Sequence, residues 1–371
     1  MSRGPNPFTS IPGSDPPLLT GRSQHLAVID ENFRRLGLAK PAEALAISGP
    51  AGIGVTALLR AAAEHALNYK WAASVIGVAG HGPHAGRAAA LPFDQVIGLG
   101  LRGAVDAFEE RMPGSSRLPR LHGAVDDFVR SSTSLTTRLT NCLERLGSTM
   151  LEIDRGLVVF IDDAQLLDTE LDAVSGVATE SADRGIPATV VFGGLPAPPA
   201  TARSTVISLG PLSFEQIEEA VVGVTDRSAV EVEPAAIDRL ATLSRGVPFL
   251  VQSFAEQAWE SGSSSTITLA DVDGGRGQAQ AAIRDRWYLP RTTGVSGTER
   301  RYLAAMAEAG GTDVDPEFIA RRLGDTTRFN SESSQMGQAR RGLMQRRLIY
   351  SRDGEAVSFS LPSFASFLAT S

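Results

Sequence analysis

The residues best suited to chemistry lie between Ile47 and Leu59, in the segment ISGPAGIGVTALL. Its spacing is that of a phosphate-binding loop, G-x-x-x-x-G-K-[ST], except that Val55 stands at the lysine position. Backbone N–H groups of such a loop, with the positive end of the helix that follows, form an anion site. The predicted nucleotide-binding residues of the loop are Gly49, Pro50, Ala51, Gly52, Ile53, Gly54, Val55 and Thr56. The loop alone leaves open a glycine-rich turn that binds no ligand.

Two acidic residues follow the most apolar run of the chain. In the segment LVVFIDDAQLLD an apolar predicted strand is followed directly by Asp162 and Asp163. An apolar strand that ends in paired acids is the Walker B pattern. Carboxylates at the end of a core strand, beside a phosphate site, are suited to holding Mg²⁺ and the attacking water. We expect Thr56 and Asp162 to hold Mg²⁺ and Asp163 to be the catalytic carboxylate. The alternative is a pair of acids that only ends a strand.

Val55 has a chemical consequence, because the lysine of active phosphate loops places a positive charge on the outer phosphates. A valine supplies no charge, and Lys40 and Lys70, the two lysines of the chain, are distant from the loop in sequence. Arg60 lies one helical turn beyond Thr56, but its position alone does not assign it as a replacement. Positioning and electrostatics supply nearly all phosphoryl-transfer catalysis. We therefore expect weak or absent hydrolysis and weakened, but not abolished, nucleotide binding.

Composition excludes several classes of protein. The 371 residues are enough for two or three domains, and a formal charge of −7 argues against a surface that is basic throughout. Cys142 is the single cysteine, so an internal disulfide and a thiolate metal cluster are excluded. The histidines show no metal-ligand spacing with carboxylates, which favours structural or surface roles. No apolar stretch approaches the roughly 20 residues of a membrane-spanning helix, so we expect no membrane partner and a cytoplasmic location.

The elements that must position these residues can be read from hydrophobic periodicity. Helical patterns alternate with apolar runs that predict strands at 44–48, 71–78, 156–161, 187–192 and 205–209. Such alternation predicts an α/β domain with a mainly parallel sheet. From Ser213 the pattern becomes purely helical, and glycines and serines around 261–265 and 274–277 predict the end of that region.

A third unit is predicted from about Ser296 onwards. Three helical patterns precede a hairpin with strands at 349–351 and 356–360 and a turn at Asp353 and Gly354, which is the order of a winged helix-turn-helix. The third helix carries the candidate DNA contacts Arg340, Arg341, Arg346 and Arg347. Arginine is suited to phosphates and base edges. A protein-docking or structural role for this helix is the alternative.

Taken together, the motifs resemble one family. The matching stretches are PPLLTGR, ISGPAGIGVTALL, VVFIDDAQLLD, VVFGGLP, LGPLSFEQIEEAV, SRGVPFLVQSFAEQAW, GTERRYLAAMA and RRLIYSRDGEAVSFSLPSFASFL. In this order they resemble bacterial P-loop ATPases of the AAA+/STAND group, typical of actinobacteria and related to origin-recognition ATPases. The resemblance covers nearly the whole chain and is weakest over residues 80–132. It implies ATP and Mg²⁺ as cofactors.

The resemblance also implies roles outside the phosphate loop. Arg22 would lie near the adenine, and Gly246 and Pro248 would belong to a helical lid that closes over the nucleotide. Arg245 is the nearest positive charge of that lid element and could reach a phosphate, or be a solvated arginine at a helix end. No sensor residue can be assigned, because the corresponding strand ends in Gly193 and Gly194.

The predicted organisation is an extended N-terminal arm (1–19), a P-loop ATPase core (20–211), a helical lid (212–290) and a winged helix-turn-helix (291–371). The leading hypothesis is an ATP-binding molecular switch in which hydrolysis is weak or absent. A second is a DNA-binding regulator with a vestigial ATPase domain. A third is an active ATPase rescued by another basic residue, such as Arg203 acting across an oligomer interface. Nucleotide is the expected partner, with DNA, a protein or a second copy as further ones.

Overall fold

A computed structural model describes residues 3–78, 92–166, 169–195, 204–324, 334–351 and 356–370. The chain forms two compact units. One contains residues 22–48 and 55–208, and the other contains residues up to 21, residues 49–54 and residues from 209 onwards.

The first unit is built on a five-stranded parallel sheet. Its strands are β1 (Ala44–Ser48), β2 (Trp71–Gly77), β3 (Gly156–Asp162), β4 (Ala188–Leu195) and β5 (Ser204–Ser208), in the spatial order β2-β3-β4-β1-β5. Every residue of β1 and β3 is buried, as expected for strands that are covered on both faces. The predicted α/β class with a mainly parallel sheet is confirmed. In this order β4 lies between β1 and β3, so the ends of all three strands meet at one edge.

In the described part of this unit the sheet is accompanied by six α-helices: α1 (Ser23–Gly37), α2 (Val55–Ala66), α3 (Phe93–Arg111), α4 (Leu118–Arg130), α5 (Leu135–Leu151) and α6 (Thr169–Asp183). Each buries an apolar stripe; on α5 it includes Leu139, Cys142 and Leu146, as the periodicity predicts. Burial raises the pKa of the Cys142 thiol to about 12, so the single cysteine is an unreactive core residue.

The second unit begins, after the arm, with a helical segment. It contains α7 (Phe214–Thr225), α8 (Pro234–Ser244), α9 (Pro248–Ser261), α10 (Leu269–Ile283), a π-helical turn (Arg284–Tyr288) and α11 (Leu289–Thr292), with β6 (Glu231–Val232) paired to β7 (Thr266–Ile267). Capping boxes start α7 at Ser213 and α10 at Thr268. The predicted break at 274–277 is wrong, because α10 runs through it. A Cβ at Gly275 would lie 2.6 Å from the Gln257 carbonyl oxygen, so glycine here allows α9 and α10 to pack closely.

The described residues beyond 296 form four helices and a small hairpin. These are α12 (Gly297–Glu308), α13 (Pro316–Leu323), α14 (Gln335–Gln345), the antiparallel pair β8 (Ile349–Tyr350) and β9 (Ser358–Phe359), and α15 (Phe364–Thr370). Three helices followed by a hairpin is the order that the sequence predicts, and the final helix α15 is an addition to it. The turn predicted at Asp353 and Gly354 lies outside the described residues. Throughout the described part of the chain, no helix is long and apolar enough to cross a membrane.

The N-terminal arm has no regular structure over its described residues, and it packs along α9. The guanidinium of Arg3, 2% exposed, donates to the carbonyls of Ala258, Trp259, Ser264 and Thr266 and to the Asp271 carboxylate. Two of these carbonyls belong to the last turn of α9, where no intrahelical donor is available. Phe8, also buried, contacts the edge of Trp259. The arm therefore completes the core of this helical segment.

We expect Arg3→Ala to lower the free energy of unfolding by about 2–4 kcal/mol, because several buried carbonyls and a carboxylate would lose their donor. Urea denaturation followed by circular dichroism measures the change. Arg34→Ala is the matched control, since its ion pair with Glu31 is about half exposed and contributes little. Equal denaturation midpoints for the two variants would contradict this role of the arm.

Candidate functional site

The hydroxyl of Thr56 donates to a carboxylate oxygen of Asp162 over 2.6 Å. Thr56 lies in the first turn of α2, and Asp162 is the last residue of β3 and is 2% exposed. The other carboxylate oxygen of Asp162 accepts the backbone N–H of Asp163 at 2.9 Å. A hydroxyl at the start of a helix and a carboxylate at the end of a strand are hard oxygen ligands. Mg²⁺ prefers such ligands when phosphate and water complete its coordination shell. The residues present therefore fit a magnesium ion.

Asp163 follows directly in a strained conformation. Its φ of +63° lies in the left-handed region, which a non-glycine residue adopts at a cost of about 1–2 kcal/mol. The side chain is 3% exposed, and its carbonyl accepts the N–H of Leu166 in a short 3₁₀ turn. Strain of this kind concentrates at functional sites. Asp163 as the catalytic carboxylate stays a prediction.

Val55 packs into the core of the α/β unit, against the end of β4. It is 7% exposed, and a Cβ added at Gly193 would lie 3.0 Å from Val55 Cγ1 and 2.5 Å from Leu59 Cδ1. The next residue, Gly194, has a φ of +89°, and the pairing of β1 with β4 shifts register there. Side chains of α2 thus occupy the space that a side chain at residue 193 would need. Packing therefore explains the glycine at position 193.

The loop between β1 and α2 takes the conformations that its glycines permit. Gly52 has a φ of +84° and Gly54 a φ of +99°, which L side chains rarely adopt. The N–H of Ile53 donates to the Pro50 carbonyl at 3.2 Å, and the Ile53 side chain is 1% exposed. The loop is therefore a compact, anchored turn in this conformation.

Gly52 contacts two other segments of its own unit. Its carbonyl accepts the backbone N–H of Phe249, the second residue of α9, at 3.2 Å. A Cβ at Gly52 would lie 3.1 Å from Leu361 Cδ2, 3.3 Å from Phe249 Cβ and 3.4 Å from Val247 Cγ1. The phosphate loop thus packs on the start of α9 and on a residue that follows the C-terminal hairpin. Sequence reasoning missed Phe249 and Leu361, since an apolar residue carries no signal of a loop contact.

The predicted lid residues lie in the turn from α8 to α9. Gly246 has a φ of +75°, and its carbonyl accepts the N–H of Leu212 at 2.8 Å. Pro248 is the first residue of α9, where its missing N–H costs nothing. The structure therefore brings this element to Gly52, through Phe249 and Val247 on either side of Pro248.

Arg22 lies at the start of α1 in the α/β unit and is 4% exposed. Burial lowers the pKa of its guanidinium. The neighbouring His25 is half-buried, and burial, followed by the charge of Arg22, lowers the pKa of its imidazole. His25 is therefore neutral at pH 7. Adenine contact by Arg22 is a prediction that stays untested.

The four candidate DNA-contacting arginines, Arg340, Arg341, Arg346 and Arg347, are all half-buried. Arg346 donates to the carbonyls of Arg291, Thr293 and Gly294, and its Nε lies 3.8 Å from a Glu299 carboxylate oxygen. This guanidinium holds the start of α12 against the end of α14. Arg203, proposed as a substitute cation, lies outside the described residues.

Among the described residues, two histidines lie beside carboxylates. His65 Nδ1 lies 3.2 Å from an Asp30 oxygen, and His122 lies beside two acids at the surface. Asp106 and Glu109 of α3 and His122 of α4 place one ligand atom each within 4.8 Å of one another, with His122 Nε2 3.4 Å from a Glu109 oxygen. Both acids are exposed. Helix packing, which spacing along the chain does not report, produces this surface group.

We expect Gly193→Ala to lower the free energy of unfolding by about 1–3 kcal/mol, because the new methyl group would overlap Leu59 and Val55. Leu59→Ala in the same chain should recover part of this loss, and thermal unfolding of the four members of the cycle measures it. Additive losses in the double variant would rule out the packing explanation for Gly193.

Comparison with known proteins supports the reading of this fold. Residues 18–190 match the family described as AAA ATPase domain, and residues 285–368 match a domain of unknown function (DUF8462). Among proteins with curated descriptions, none matches the chain.

Solved structures share the architecture at low sequence identity. The Walker-type ATPase of Pyrococcus abyssi is 14% identical, with a TM-score of 0.61 over 95% of this chain and 96% of that one. The ORC1 protein of Aeropyrum pernix, solved in complex with DNA, is 14% identical with a TM-score of 0.49 over 96% and 94%. The RuvB Holliday junction branch migration motor of Thermotoga maritima is 16% identical with a TM-score of 0.44 over 94% and 95%. Only the first score exceeds 0.5, and at 14% identity it shows a shared ATPase fold, within which residues 18–190 are similar to the AAA ATPase domain.

Proposed function

We propose that the chain is a cytoplasmic ATP-binding switch in which hydrolysis is weak or absent. The observation that carries the proposal is the 2.6 Å bond from Thr56 to Asp162, directly after a glycine-rich loop. Thr56 and Asp162 would hold Mg²⁺, and the metal would neutralise charge on the outer phosphates when bound. Backbone N–H groups of the glycine-rich loop, apart from Pro50, which has none, and Ile53, which donates to the Pro50 carbonyl, would hold the phosphates themselves.

The remaining chemistry depends on Asp163 and Val55. Asp163 would orient the attacking water, because its left-handed backbone holds it beside the metal ligand Asp162. Val55 is directed into the core and supplies no charge to the phosphates. Transition-state stabilisation in phosphoryl transfer is almost entirely electrostatic, so this substitution removes turnover more than binding.

A switch needs an element whose position depends on whether a nucleotide occupies the loop. The contacts of Gly52 with Phe249, Val247 and Leu361 supply one, since they join the loop to α9 and to the C-terminal segment within one unit. A loop that moves on nucleotide binding would disturb these contacts. Occupancy would thus be transmitted to the predicted lid and winged helix.

The alternative of a DNA-binding regulator finds less support in the side chains. A helix that recognises DNA needs arginines that extend to the duplex. Arg346 instead donates to three carbonyls, and the other three candidate arginines are half-buried. The four arginines fit the docking or structural role better.

We expect the chain to bind ATP in the presence of Mg²⁺, and Asp162→Asn to weaken that binding at least about tenfold through loss of the metal ligand. Isothermal titration calorimetry with and without Mg²⁺ measures both. Asp154→Asn, an exposed acid at a surface turn, is the control and should bind as the wild type does. The absence of a measurable heat of binding at millimolar ATP would contradict the proposed function.

We expect Val55→Lys to raise the rate of ATP hydrolysis by orders of magnitude from a very low wild-type rate, since the lysine restores the missing phosphate charge. Val55→Met introduces similar bulk without charge and should stay inactive. Phosphate release measures the rate, and thermal unfolding checks that both variants fold despite the buried position. Turnover by the wild type equal to that of Val55→Lys would show that Val55 does not limit catalysis.

A further inference from the structure

A histidine and two carboxylates converge on the surface of the α/β unit, where α3 packs on α4. One ligand atom each of Asp106, Glu109 and His122 lies within 4.8 Å of the other two. Asp106 and Glu109 are three residues apart on α3, so their side chains lie on the same face of that helix. His122 belongs to α4, and 33% of its side chain is exposed. The group therefore depends on the packing of two helices.

The packing beneath the group fixes the two helices that carry it. Val105 and Phe108 of α3 and Leu121 and Val125 of α4 are at most 2% exposed and belong to one hydrophobic core. Side chains on packed helices are held in a more precise geometry than side chains on loops. The backbone positions of the three residues are thus set before any ligand binds.

The two carboxylates of the group lack an arginine partner. Elsewhere on the same helices an acid and an arginine do pair, since Arg102 lies 2.7 Å from Asp126. Among the described residues the Asp106 side chain has no hydrogen bond or ion pair, and the Glu109 carboxylate has only His122 Nε2, at 3.4 Å. That distance exceeds the about 2.7–3.2 Å of a normal N–H···O hydrogen bond. Like charges one helical turn apart repel each other, so a cation between them would be stabilising.

The donor atoms indicate the class of cation. Imidazole nitrogen together with carboxylate oxygen suits Zn²⁺ and related divalent transition metals, whereas Mg²⁺ and Ca²⁺ prefer oxygen alone. Bonds of about 2.0–2.2 Å to a tetrahedral Zn²⁺ place its ligand atoms about 3.4 Å apart. His122 Nε2 and the Glu109 oxygen already have this separation. Asp106 is exposed, so rotation of its side chain can bring the third oxygen to the same distance.

We propose that Asp106, Glu109 and His122 form a binding site for Zn²⁺ or a related divalent transition metal, with water in the remaining coordination positions. The bound metal would join α3 to α4 at the surface and neutralise the two carboxylates. The site uses none of the proposed magnesium ligands Thr56 and Asp162. Its failure and the failure of the proposed function are therefore independent.

The test is titration of the metal-free, full-length chain with ZnCl₂, followed by calorimetry, and with CoCl₂, followed by visible absorption. Excess Mg²⁺ is present throughout, to occupy sites that consist of oxygen ligands. One equivalent of Zn²⁺ should bind with micromolar affinity and raise the melting temperature. Co²⁺ should give a d–d absorption band that added Zn²⁺ removes. No binding of Zn²⁺ by the wild type would overturn the proposal.

Three substitutions should each weaken binding of Zn²⁺ at least about tenfold, which is the loss expected even for a partner of a metal ligand. They are His122→Ala, Asp106→Asn and Glu109→Gln. Because these side chains are a third or more exposed, the melting temperature without metal should stay close to that of the wild type. Equal affinity of His122→Ala and the wild type would contradict the assignment.

Two controls separate this site from the other histidines. His65→Ala removes an imidazole that lies beside Asp30, and it should bind Zn²⁺ as the wild type does. The double variant His81→Ala/His84→Ala, whose two residues lie outside the described part of the chain, should also keep the full equivalent of Zn²⁺. Loss of the equivalent in either control would place the metal elsewhere and overturn the role of His122.

Discussion

The hydrogen bond between Thr56 and Asp162 is the interaction on which the α/β unit of the site depends. It joins the N-terminus of α2 to the carboxyl end of β3, two elements separated by about a hundred residues. Only β4 lies between β1 and β3, and because the three strands are parallel, the carboxyl ends of β1 and β3 reach the same edge of the sheet. This arrangement leaves the N-terminus of α2, which favours anions, beside an acidic strand end. The position of these two groups therefore follows from the parallel sheet before any ligand is considered.

The departures from an active phosphate-binding site form one coherent set. Val55 is buried where a lysine would extend to the phosphates, and Gly193 is glycine because Val55 and Leu59 fill the space beyond it. Phe249, at the start of the helix that contacts the loop, packs its ring against Trp287 in a tilted arrangement, with the ring centroids 4.7 Å apart. Each of these contacts is apolar. Thr56 keeps its hydrogen bond to Asp162 next to the buried Val55, so the proposed loss of phosphate charge leaves the proposed magnesium ligands in place.

Much of the fold could be predicted because buried strands have an unmistakable pattern. The five core strands begin and end within one residue of their predicted bounds, except at the end of β4, where Gly193 and Gly194 continue the strand beyond its apolar run. The phosphate loop and its acidic partner could be predicted for the same reason, since spacing and strand ends are local properties. The helix through Gly274 and Gly277 could not, because the close approach of Gln257 that explains Gly275 is a tertiary contact. The backbone bond from Phe249 to Gly52 leaves no trace in residue types at all.

The arginines of this chain show that a sequence does not reveal what each charged side chain binds. Arg3, Arg346 and Arg245 carry the same side chain. The guanidinium groups of Arg3 and Arg346 donate to several backbone carbonyl oxygens. Those contacts satisfy the backbone at helix ends and at loops, so both residues stabilise the fold without a ligand. Arg245 occupies a helix end too, yet it adopts a left-handed conformation without gaining an acceptor from the described residues. A stabilising role would favour glycine there. The same residue type therefore satisfies carbonyl groups at two places in the fold and strains the backbone at a third, and residue type alone does not distinguish them.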